Sequence, residues 1–128
     1  MNSFLKKLPV GAALVLFGAT AFAQGPVRDE AFWQGHLFQR VREDLDRIQQ
    51  STPKISADEY RLVSTKHDLD ELQSKLEQRR YDEPELDRTI AAVQRVENNN
   101  DLNPRDREML REDLRRLHEF RDHHDGYR

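Results

Sequence analysis

Asn98-Asn-Asn-Asp-Leu-Asn-Pro104, followed by Arg105-Asp-Arg-Glu-Met-Leu-Arg-Glu-Asp-Leu-Arg-Arg-Leu-His-Glu-Phe120, is the stretch that decides the fold. The polar run ends whatever helix precedes it. Asn103 can cap the next helix with its side-chain oxygen, and Pro104 supplies a preset φ at a position where the missing N–H costs nothing. Met109, Leu110, Leu114, Leu117 and Phe120 then recur at helical spacing, within an arc of about 140° at 100° per residue. The remaining positions are charged. Glu112 precedes Arg116 by four residues, while Glu108 precedes Arg111 and Asp113 precedes Arg116 by three, spacings that support surface ion pairs.

The plan recurs towards the N-terminus. Asp29 can cap a helix carrying Trp33, Leu37, Val41, Leu45 and Ile48 on one face and ending at Gln50. Gly35 weakens it, so either the regular helix starts later or another backbone approaches there. Ser51-Thr52-Pro53-Lys54 interrupts the chain. Ser56 and Glu59 then form a capping box, with Ile55 and Tyr60 at the two positions of a hydrophobic staple. The second helix carries Leu62, Leu69, Leu72 and Leu76, with Glu71 and Lys75 as an outer pair, and runs to about Arg79. Asp82 caps a third helix of Leu86, Ile90, Val93 and Val96, where Ala91 and Ala92 permit close packing. The expected fold is all-α, a small antiparallel bundle of three to four helices joined by short loops. An extended hairpin stable only as a dimer, with the second helix's leucines as an intermolecular seam, is the competing arrangement.

Residues 1–23 read as a cleaved signal peptide. Lys6 and Lys7 form a basic start, Val10 to Ala19 is apolar apart from glycine, and Ala21-Phe22-Ala23 is a small-x-small cleavage site. The stretch is short and glycine-bearing for a transmembrane helix, so no stable membrane anchor is expected after cleavage. Residues 24–28 form a disordered lead-in, 29–122 the helical domain, and 123–128 a frayed tail, with fraying expected to begin after Phe120. Periplasmic or secreted location follows. There is no cysteine, which excludes disulfides and thiol lipidation. Without its two leader lysines the remainder holds 19 basic against 24 acidic residues, a net −5 in place of −3. That balance argues against nucleic acid as a partner.

Candidate chemistry is sparse. His118, His123 and His124 lie among acids at the C-terminus, the best candidate for a metal site, but the interval of five from His118 to His123 is not the i, i+4 spacing of a helical zinc pair. Asp101, Asn103 and Glu112 fall at calcium-loop positions 1, 3 and 12. Arg105 and Asp106 occupy positions 5 and 6, and Pro104 starts a helix through the loop, so capping is the better reading. His67 shares a helix side with Tyr60 and Val63, away from the leucines, where packing at a helix contact is the ordinary role. No nucleophile motif or glycine-rich phosphate loop is present, which points away from an enzyme and from any cofactor. Phe32 and His36 fall outside the apolar arc of the first helix and are the candidate partner contacts.

Short paired helices, export and charge resemble those of small periplasmic helical chaperones and stress sensors. Their repeated Leu-Thr-x-x-Gln motif has no copy here, so membership is not inferred. The functional expectation is an exported helical interaction module, chaperone-like or linked to envelope stress, binding another envelope protein or itself. A metal-binding protein using the C-terminal histidine and acid cluster is the alternative.

Overall fold

The computed structural model describes Trp33 and residues 35–123; the signal peptide, the lead-in, Asp29, Phe32 and His124 lie outside them. Within that span the chain forms four helices and no strand. These are α1 (Leu37–Gln50), α2 (Ala57–Glu77), α3 (Glu83–Asn99) and α4 (Pro104–Asp122). Each packs on the next, and α4 returns to α1, closing a ring. Cross-helix bonds set the directions. Arg42 pairs with Asp70 while Lys66 reaches Asp46, Thr65 lies against Ala92 while Lys75 reaches Glu85, and Arg111 meets Glu97 while Arg121 meets Asp87. On the closing side Arg47 lies 3.7 Å from Asp106, and Phe38 meets Phe120 edge-on at 5.1 Å. In every pair one residue number rises as the other falls, so the bundle runs up-down-up-down.

Capping follows the residue types. The side chains of Ser56, Asp82 and Asn103 accept from the backbone N–H groups of Glu59, Glu85 and Asp106 at 3.0, 3.0 and 2.7 Å. The helix that starts without such help is α1. Its first flanking residue, His36, makes no side-chain cap, and Gly35 has φ +71°, a left-handed turn that separates Trp33 from the helix. A side chain at Gly35 would meet nothing within 4 Å, so the later start, and no close backbone approach, explains this glycine. Of the two readings of Gly35 the later start therefore holds, with the regular helix beginning at Leu37, and the helical angles that set His36 outside the apolar arc do not carry across Gly35 to Trp33.

The core joins Val41, Leu45 and Ile48 of α1 to Leu62, Leu69 and Leu72 of α2, Leu86, Ile90, Val93 and Val96 of α3, and Leu110, Leu114 and Leu117 of α4. The leucines of α2 are thus consumed inside one chain, which removes the hairpin stabilised by an intermolecular leucine seam. Between α2 and α3 the close approach is made by Thr65, Thr89 and Ala92, whereas Ala91 faces solvent. Both threonine hydroxyls donate to the carbonyl four residues back in their own helix, at 2.7 and 3.0 Å, so their burial leaves no donor unmet.

At the other end of the bundle α2 stops in a Schellman turn. Arg80 N–H bonds Lys75 C=O and Arg79 N–H bonds Leu76 C=O, both at 2.9 Å, with Arg79 at φ +61° where glycine is usual. Fraying from Arg121 onwards is also corrected. α4 continues to Asp122, and the Arg121 guanidinium donates to Asp87 at 2.5 Å and to Glu83 at 3.0 Å.

Candidate functional site

The loop 51–56 and the outer side of α2 carry the large apolar side chains that the described fold leaves in solvent: Ile55 at 99% exposure, Tyr60 at 74% and Val63 at 50%. Their position follows from helix geometry. With Tyr60 at zero, Val63, His67 and Glu71 fall near −60°, −20° and +20°, while Leu62, Leu69 and Leu72 fall between about 120° and 200°. One helix therefore has an inner stripe of leucine and an outer stripe whose first half is apolar. The hydrophobic staple is overturned by these exposures, because Ile55 and Tyr60 cannot shield one another and remain so open. Its partner motif is half formed. Ser56 caps as expected, but the Glu59 carboxylate turns away to accept from Gln49 Nε2 at 2.8 Å, joining α2 to α1.

The stripe is bordered by opposite charges. Lys54 is exposed and has no bonding partner among the described residues, and Glu71 lies 3.1 Å from His67 Nε2. His67 is 73% exposed in its side chain, so it does not pack at a helix contact as its position suggested. Lys75 does not pair with Glu71 either. It reaches Asp82 at 2.7 Å and Glu85 at 3.3 Å, and the bond to Asp82 is the main reason the Asp82 carboxyl sits below the ordinary aspartate range.

A cluster of acids lies beside this stripe, where α2 meets α3. Asp68, Glu71 and Glu85 can each offer an oxygen within 4.8 Å of the others. Burial first, then the charges of Glu85 and Glu71, raise the Asp68 carboxyl above its usual value. Oxygen donors of this kind suit a hard divalent cation. Glu85 is already compensated, however, by Arg88 at 2.9 Å and by Lys75, so the site as built is an ion-pair knot. The predicted histidine site stands elsewhere. His118 and His123 are exposed on α4 and its end, His123 shares a bond with the Glu119 carbonyl at 3.1 Å, and His124 lies outside the described residues. His36 is exposed beside the start of α1, and its companion Phe32 is likewise outside.

The calcium-loop residues have other duties. Asn103 caps α4, Asp101 N–H donates to Asp58 at 2.9 Å, and Glu112 accepts from Arg115 and Arg116 at 2.6 and 3.1 Å. Glu108 and Arg111 also pair, at 3.5 Å, as their spacing implied.

Residue type misled the sequence reading about the buried polar groups. Asp113, a charged-face residue by type, is fully buried, and Asp44 and Asp106 are buried along the same α1–α4 seam. Their angular positions carried the signal. Taking Leu110 as zero, Asp113 and Asp106 fall near −60° and −40°, inside the arc of the apolar residues, and Asp44 falls about 20° from the edge of that of α1. Arg47 crosses the seam, with its guanidinium 3.5 Å from Asp44 and 3.7 Å from Asp106.

Among the described residues no helix is long and apolar enough to cross a membrane. The chain matches no protein-family model, no characterised protein and no solved structure.

Proposed function

We propose that the protein is a non-catalytic interaction module of the cell envelope, exported through residues 1–23 and acting in the periplasm or outside the cell. The observation that carries the reading is the placement of Ile55, Tyr60 and Val63. A chain of this size has a modest core and a small margin of stability, so leaving three large apolar groups in water forgoes burial it could use. Exposed apolar groups gathered at one end of a helix on an otherwise charged surface are a usual mark of a contact with another molecule, and tyrosine is a frequent anchor in such contacts. This moves the proposed contact from Phe32 and His36 to the outer side of α2. Metal handling by His118, His123 and His124 has less support. The described members of that trio are exposed, and the closest grouping of ligand atoms among the described residues is at Asp68, Glu71 and Glu85.

Photo-crosslinking in the exporting cell tests the reading. A photoreactive residue at position 60 should give discrete adducts that disappear in a Val63→Glu background, whereas one at Ala91, exposed on α3, should give none. Equal yields from the two positions, or none from position 60, would refute the α2 face as a contact surface.

A further inference from the structure

We infer that the molecule this face binds is a second copy of the same chain, held through an antiparallel, two-fold crossing of the two α2 helices centred between Val63 and Ser64. The inference rests on the interaction-module reading and names its partner. A two-fold contact requires one surface to complement itself, so whatever lies at a given distance on one side of the axis must suit what lies equally far on the other. The outer stripe of α2 meets that condition. Tyr60 and His67 are seven residues apart on one helix side, each about 5 Å along the axis from the midpoint between Val63 and Ser64 at 1.5 Å per residue. Reversal of the helix sets each tyrosine ring against the second copy's imidazole and brings the two Val63 side chains together across the axis, with Ser64 small enough to let the backbones approach.

Charge follows the same symmetry. Lys54, exposed and without a bonding partner among the described residues, lies in the loop that leads into the tyrosine end of α2, and the half-exposed Glu71 stands one turn beyond His67. The crossing pairs each lysine with the other copy's glutamate, so opposite charges meet at both rims and the apolar residues occupy the centre. Size limits the strength. Three side chains supply only roughly a few hundred Å² per copy, against about 800 Å² per partner in a stable interface. The pair is therefore a weak, exchanging dimer of molecules that are each folded, not an obligate one.

Sedimentation velocity on the chain recovered after export, from about 1 µM to about 1 mM, tests this directly. Reversible dimer formation within that range is expected, and Val63→Glu, which opposes two carboxylates at the axis, should weaken it at least tenfold with an unchanged circular dichroism spectrum. Lys54→Glu and Glu71→Lys should each weaken association, and the two together should restore it. A chain that stays monomeric up to about 1 mM overturns the inference, as does a dimer indifferent to Val63→Glu or a double exchange that fails to restore pairing. The two readings separate cleanly. Monomeric behaviour combined with Val63-dependent crosslinks to a different protein removes the second copy and leaves the interaction module standing, whereas loss of both removes both.

Discussion

Two loops lie at one end of the bundle, and their fates are opposite to their polarity. The loop at 100–103 belongs to an asparagine-rich run, yet Asn100 is 3% exposed. The loop at 51–56 carries Ile55, which is 99% exposed. Hydrogen bonding explains the first case. The Asn100 side chain accepts from Arg61 Nε at 2.7 Å and donates to the Asp58 carbonyl at 3.1 Å, while the Asn100 main-chain carbonyl accepts from Arg107 at 3.3 Å. With Asp58 also accepting from the Asp101 N–H, the α3–α4 turn is fastened to the start of α2. Nothing comparable acts on Ile55. Ser51 and Thr52 donate to the Ile48 carbonyl and Ser56 to that of Pro53, so the loop satisfies its hydroxyls locally and leaves its one large apolar residue outside. Burial is set by where the helices converge, and polar groups join it when every donor and acceptor is met.

The sharpest way to break the contrast is to remove the fastening. Asn100→Ala leaves the Arg61 guanidinium and the Asp58 carbonyl short of partners, and should cost about 2–3 kcal/mol in urea unfolding. A change below about 0.5 kcal/mol would mean that water replaces the side chain and that the polar turn is no more anchored than the apolar one.

Capping is the next lever, since both loops end in a cap. Asn103→Ala and Ser56→Ala should each cost about 1 kcal/mol by stripping the partner from a first-turn N–H. Asn103 tests the anchored loop and Ser56 the open one. Similar losses at the two sites would show that local capping is independent of whether the loop itself is tied down.

A third loop, at 78–82 on the opposite end, sharpens the comparison from the side of strain. Arg79 holds a left-handed conformation that costs a side chain about 1 kcal/mol or more. Arg79→Gly should therefore raise stability by up to about 1 kcal/mol, offset in part by the greater freedom of glycine in the unfolded chain. A loss of stability would show that the arginine side chain makes contacts worth more than the strain.

The legibility of the sequence divides along the same physical line. Helix periodicity, the caps at Ser56, Asp82 and Asn103, and the apolar stripes of all four helices were readable, because each depends on spacing or on a bond within one turn. Asn100 and Asp113 were not read as buried, since their burial depends on groups brought together only by tertiary packing. Part of that information was still present. Asn100 extends the α3 pattern to about −40° from Leu86, inside the arc of Leu86, Ile90, Val93 and Val96, so sorting by angle before polarity would have found it. The staple failed for the converse reason. Ile55 and Tyr60 have the right spacing and type, but the chain enters α2 with Ile55 pointing away, which no local rule fixes. The proposed contact face was half legible, because Val63 and His67 stood off the leucine stripe while Ile55 and Tyr60 were counted as covering one another.

The smallest expected effect on folding bears most directly on the central claim, that Ile55, Tyr60 and Val63 lie outside the fold and serve a contact. Urea unfolding of the triple variant Ile55→Ser, Tyr60→Ser, Val63→Ser at low protein concentration isolates that claim from any partner. Exposed side chains contribute little to stability, so the unfolding free energy should stay within about 0.5 kcal/mol of the unsubstituted protein. A loss of about 2 kcal/mol or more would place these residues among the packing contacts of the folded chain and contradict the account.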